Sequence, residues 1–214
     1  MGILVLGRLK AYGVLYTLST VGSFMAKGTR DLILRDRLQF DVDATGDTDL
    51  LYGRVDMSDF VNVVKREGFA VKEVRYHLRD PQNPNGVLDP LLTGAAGTFA
   101  NIKLFCTTTA YENIEDVGIA SPDVISLLEM STVQFIDAVS GIPQWGQNQW
   151  THYGTPDLHP DGYNVVSDLL IGVGASTVSS AVNQTLEIDI MIIGEPVKLN
   201  EADMTEMLTQ GQDL

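Results

Sequence analysis

The chain has 214 residues, 44% of them hydrophobic and 20% charged, with 20 Gly and 8 Pro. That apolar share supports a packed core and excludes a disordered, collagen-like or low-complexity chain. The length suits one all-β domain, since such folds run to about 200–250 residues as a unit. A single cysteine, Cys106, excludes an intrachain disulfide scaffold. The net charge of −14 is unevenly spread: residues 1–103 carry 13 Lys+Arg against 12 Asp+Glu, whereas residues 104–214 carry Lys198 alone against 16 acids. An acidic surface repels nucleic acid and favours solubility; it fits equally a protein working in a salty medium.

Residues 1–30 hold Arg8, Lys10, Lys27 and Arg30 and no acid. The 16 uncharged residues between Lys10 and Lys27 fall short of the ~18–20 needed for a spanning helix, and Thr17, Ser19, Thr20 and Ser23 dilute them. A signal peptide with Val21-Gly22-Ser23 at its cleavage site is one reading. The other, expected here, is a retained basic apolar arm. It would lie on its own domain, on a neighbouring subunit or on a lipid surface, the neighbour being favoured.

From Asp31 the pattern changes to short apolar alternations broken by turns. Leu34, Phe40 and Val42 share one face of a strand, opposite Gln39, Asp41 and Asp43. Residues 44–48 are turn chemistry, and residues 50–55 are expected to return as the partner strand. Ser58 and Asp59 predict the start of a helix of about ten residues, with Phe60, Val63 and Val64 on one face and Gly68 as its stop. Residues 69–79 then alternate as a strand, Val74, Tyr76 and Leu78 inward and Glu73, Arg75, His77 and Arg79 outward. The Pro/Asn run at 80–86 ends it.

Further strands are expected at residues 98–111, 131–139, 163–173 and 184–193. The last sets Leu186, Ile188 and Ile190 against Glu187 and Asp189. Ser121-Pro122-Asp123 predicts one or two helical turns carrying Ile125 and Leu128. Asn200 is expected to cap a terminal helix with Met204, Met207 and Leu208 on one face. About eight strands with short helices between them describe an all-β, antiparallel sandwich or barrel. The chain divides into an arm (1–30), a sandwich body (31–199) and an acidic C-terminal helix or tail (200–214).

Chemistry-bearing motifs are sparse. There is no phosphate-cradling loop, nucleophile elbow, His-Glu-x-x-His or Cys-x-x-Cys, and Gly172 and Gly174 lie within a strand. Cys106, mid-strand between Phe105 and Thr107, reads as a buried inert thiol. Asp41, Asp43 and Thr45 begin like a calcium loop, but Tyr52 stands where a bidentate carboxylate is required. His152, Asp157, His159 and Asp161 are a weak zinc or iron candidate; with Pro156 and Pro160 among them, a polar loop is the preferred reading. No cofactor, no metal and no hydrolytic or redox turnover are expected. The most distinctive stretch is 141–163, whose 23 residues include both tryptophans and show no periodicity. Trp145, Trp150, His152 and Tyr153 on such a loop would form a subunit interface or a glycan platform, or else plug one end of the sandwich.

The basic arm, the strand pattern over 31–194 and the segment 59–81 together resemble single jelly-roll capsid proteins of small viruses. No family motif is matched residue by residue, so the resemblance assigns no functional residue. It implies a jelly-roll body, a coat-protein role in a self-assembling icosahedral shell, location in the virion, and partners that are further copies or other capsid proteins. The arm, through Arg8, Lys10, Lys27 and Arg30, would meet a neighbour, lipid or nucleic acid. The alternative from another class is a cell-surface or secreted adhesin, pilus or surface-layer subunit whose Trp loop binds a glycan receptor.

Overall fold

The computed structural model describes residues 31–94, 97–153 and 162–210. Among these residues nine strands form two antiparallel sheets: β1 (Leu32–Asp41), β2 (Thr48–Val55), β3 (Glu67–Arg79), β4 (Phe99–Thr107), β5 (Val124–Ile136), β6 (Pro143–Tyr153), β7 (Tyr163–Val165), β8 (Leu169–Ser176) and β9 (Thr185–Lys198). The first sheet runs β1-β9-β3-β7 and the second β2-β8-β4-β5-β6. Chain neighbours β1, β2, β3 and β4 thus alternate between sheets, and β9 closes back between β1 and β3. This is the double-sheet order of a jelly roll, with β6 added at one edge.

Period-2 alternation accounts for the core. Leu38 pairs with Ile188, which pairs with Leu78, and Phe40 pairs with Leu186; all five are buried against the second sheet. Facing them are Ile102, Leu104, Leu128 and Ile171, each at most 3% exposed. Burying each such side chain contributes about 1.5–3 kcal/mol. Tyr76 packs against this core from β3, and Val74 and Ile190 are buried in it, as the alternation predicts. The intervening residues form a charged ladder outside: Arg37 reaches Asp189 at 2.6 Å, and Arg79 lies 3.4 Å from Asp189 and 3.7 Å from Glu187. Burial pushes the Asp189 carboxyl up, but the Arg37 hydrogen bond and the Arg37 and Arg79 charges outweigh it and hold it below the usual range.

Several expected elements differ. Residues 50–55 do not pair with β1; β2 pairs with β8 in the opposite sheet. The 43–47 turn carries the chain across the layers, which lets the apolar faces of β1 and β2 meet. Gly46, at φ 88°, allows that turn to lie against the backbone of Val178. The helix expected over 58–68 is replaced by tight turns: Phe60 and Val61 donate to Met57 O, Asn62 and Glu67 exchange backbone bonds, and Arg66 takes a φ of 57°. A helix would have needed one inward stripe, yet Val64 is 94% exposed. β-branched Val61, Val63 and Val64 also resist helix.

The helical turns expected after Ser121 are instead a turn leading into β5. Residues 124–128 are apolar apart from Ser126 because β5 is covered on both faces, a pattern that cannot be told from a short buried helix. Inside lie Ile102 and Leu104. Outside, the 108–123 excursion lays Tyr111, Ile114 and Val117 over Phe105 and Leu127 as a second, smaller core. The expected single strand 163–173 is two, β7 in the first sheet and β8 in the second, divided at residues 166–168. The 141–163 stretch is not an aperiodic loop throughout, for Pro143–Tyr153 within it are β6. The C-terminal helix, α1 (Glu201–Gln210), is capped by Asn200, whose Oδ1 accepts the Asp203 amide at 2.8 Å. Met204 is buried, Met207 half-buried and Leu208 exposed.

Candidate interaction surface

β5 and β6 form a hairpin that extends the second sheet past the first. Its turn is organised by Asp137: the carboxylate accepts the Ser140 hydroxyl at 2.6 Å and the Val139 and Ser140 amides, while Gly141 donates to Asp137 O at 2.8 Å. The Ser140 hydroxyl first, then those amides, holds the Asp137 carboxyl below its ordinary range. Gly141 supplies the φ of 67° that closes the turn. From there β6 pairs with β5 in continuous register from Trp145↔Phe135 to Tyr153↔Leu127.

Alternation divides β6 into two faces. Asn148, Trp150 and His152 pair with Thr132, Met130 and Leu128, whose side chains turn inward. The first sheet is narrow here, because β7 pairs with β3 only over Phe69–Val71. β6 therefore overhangs it, leaving Trp150 54% exposed. Trp150, Asn148, Met130 and Thr132 line a recess of about 120 Å³ with Pro90 and Leu91. Two of its polar side chains engage each other, the Thr132 hydroxyl donating to Asn148 Oδ1 at 2.7 Å and accepting the Leu91 amide at 3.2 Å, while the exposed Asp89 stands at the rim.

His152 stacks on Tyr76 with ring centroids 6.4 Å apart and 26° between planes. The Tyr76 hydroxyl lies 2.5 Å from Ser126 Oγ, tying the two sheets together, and burial pushes its phenol well up. Nearby Cys106 is fully buried, which raises its thiol to about 12. His77 follows Tyr76 but emerges on the opposite face, 3.9 Å from Asp189, so His77 and His152 do not converge. Tyr153 faces away from His152 and packs on the outer cluster of Phe105 and Leu127. Asp157, His159 and Asp161, like Arg8, Lys10, Lys27 and Arg30, lie outside the described residues. Among the described residues no group of three His, Cys, Asp or Glu is placed to hold a metal ion, and no helix is long and apolar enough to cross a membrane.

Sequence patterning missed one group. Phe99 pairs with Val133, and Phe135 stands two residues on along the same face. They are 50%, 40% and 53% exposed on the outside of the second sheet. The 108–123 excursion covers only the other end of that face. Alternation alone counts such residues as core; nothing local says that the covering layer stops short.

Comparison with known proteins adds little to this geometry. No family model matches the chain, and no curated protein does. Among solved structures, a chain from Desmodium yellow mottle tymovirus aligns with 87% of this chain and 99% of its own length, at 11% identity and a TM-score of 0.29.

Proposed function

We propose that this chain is a structural subunit of a viral shell, assembling with further copies of itself and with other shell proteins, and not an enzyme. One observation carries the reading: a jelly roll extends a hairpin whose end leaves Phe99, Val133, Phe135 and Trp150 substantially exposed. An exposed apolar patch such as Phe99, Val133 and Phe135 form on the outer face of the second sheet, with Trp150 exposed on the other, is a mark of protein–protein contact. The jelly roll hosts several functions, so fold alone does not decide among them. The acid-free segment with Arg8, Lys10, Lys27 and Arg30 is assigned to contact with a neighbour, with lipid or with nucleic acid. Electron microscopy of the purified full chain, together with sedimentation, tests this; closed shells are expected, and a persistent monomer across salt and pH would refute it.

A surface adhesin is favoured by a different observation, the exposed Trp150 beside a recess. The recess's Thr132 and Asn148 are already bonded to each other, so a sugar stacked on Trp150 would be held chiefly by Asp89. Glycan binding that disappears in Trp150→Ala would select this reading instead.

A further inference from the structure

We propose that β6 is a docking edge for a second copy of this chain, the two β6 strands pairing antiparallel across a twofold axis. Among the described residues β6 is the outer strand of the second sheet, 11 residues long, with β5 as its neighbour on one side. The Gln134 amide donates to Thr98 O, on the β4 side of β5. Backbone groups alternate sides along an antiparallel strand. Val133, Phe135 and the other odd residues of β5 therefore bond β6, through their partners Gln147, Trp145 and onward. The N–H and C=O groups of Gly146, Asn148, Trp150 and His152 then point away from β5. All four residues are exposed, and none makes a backbone bond to another described residue outside the sheet.

Edges of this kind are usually guarded by shortness, charge, proline or a bulge. Here Pro143 and the bulge beside it lie at the turn end, ahead of the 145–153 ladder, and no Asp, Glu, Lys or Arg occurs from Ala138 to Pro156, although residues 104–214 hold 16 acids. Two copies of net charge −14 repel over most of their surface, and the uncharged edge is where approach meets least repulsion. The same end of the sheet continues into exposed Phe99, Val133 and Phe135 on one face and Trp150 on the other, so pairing along β6 brings apolar surface together on both sides. A twofold contact uses the same patch on each copy and closes at two. In the register centred on Asn148, Trp150 of one copy lies opposite Gly146 of the second, and its indole covers a residue with no side chain.

The contact does not depend on the shell reading, since it operates in free protein as well as in an assembly. Two variants of the full chain test it by sedimentation over a concentration series. Asn148→Pro removes one outward N–H while leaving the donors of the β5 ladder in place. Gln147→Glu/Gln149→Glu keeps side-chain shape and adds two like charges per copy at exposed positions. Wild-type protein is expected to dimerise, and both variants, folded by circular dichroism, to dimerise at least about tenfold more weakly; the double variant is expected to keep the wild-type melting, whereas Asn148→Pro also gives up the acceptor of the Thr132 hydroxyl. If Asn148→Pro does not fold, the double variant decides. A wild type that stays monomeric, or folded variants that dimerise as before, overturns the proposal. So does exchange protection of residues 146, 148, 150 and 152 in the monomer, which would assign the edge to the chain's own remaining residues. Shells that form equally well from the variants overturn the edge and leave the shell reading standing; dimers without shells do the reverse.

Discussion

At the scale of single residues, Gly172 explains why glycine stands inside a strand. It pairs with Tyr52 on one side and Phe105 on the other, and those rings meet edge-on at 5.7 Å and 88°. A Cβ on Gly172 would overlap the Phe105 ring, and one on Gly174 would lie 2.8 Å from Ile114 Cγ1. The two glycines let the outer cluster settle directly onto β8. Tyr52 holds the excursion down from the same face, its hydroxyl accepting the Tyr111 amide at 2.7 Å. Gly172→Ala is expected to cost about 1–3 kcal/mol, because Phe105 is fully buried and has no room to withdraw. Urea unfolding reads this directly; an unchanged midpoint would mean that the ring is not seated on the glycine. In the sequence, Gly172 and Gly174 are visible only as an unsuccessful nucleotide-loop motif, since a void filled by a side chain 67 residues away in the chain leaves no local trace.

At the scale of elements, the regular ones were legible where one face is buried and the other wet. β1, β3 and β9 alternate cleanly, and their outward residues form the Arg37–Asp189–Arg79 ladder. α1 was legible through its cap: Asn200 accepts the Asp203 amide and donates to Asp203 Oδ2 at 2.7 Å, closing the first turn from both directions. Asn200→Ala is expected to cost about 0.5–2 kcal/mol of local helix stability. Faster amide exchange in α1, with β3 and β9 unaffected, is the measurable sign; equal loss of protection in the strands would make α1 part of the global unfolding unit. β5 and β6 were not legible, for opposite reasons. Residues 124–128 are buried on both faces and lose the alternation that marks a strand. β6 is exposed along most of its length and consists mainly of Gln, Asn, Gly and Trp, so hydrophobic period carries no signal and pairing with β5 alone makes it a strand.

At the scale of the whole molecule, the principal core draws its buried members, among the described residues, from Leu38 to Ile192, and both sheets contribute to it. Because two paired sheets close over that core, deleting residues 1–26 is expected to leave a folded, soluble body. The removed segment carries Arg8, Lys10 and Lys27 and no acid, opposite in sign to the acid-rich distal half. Assembly is therefore expected to weaken far more than folding, as electron microscopy and melting of the truncated protein together would report. Equal assembly would show that the arm is not the connector. Failure to fold would place the arm in its own domain's core.

The sequence by itself determined the all-β class, the inward faces of β1, β3 and β9, the inertness expected of Cys106 and the helix behind Asn200. Each of these follows from short-range patterning: a period of two, a cap, or a lone thiol among apolar neighbours. Only the tertiary structure decided that β2 crosses to the other sheet, that 163–176 divides between layers, and that Phe99, Val133 and Phe135 stay uncovered. Those outcomes depend on which distant strand lies alongside and where a covering segment ends. Leu186 meets Phe40 across 146 positions of chain, and no window of neighbouring residues records such a pairing.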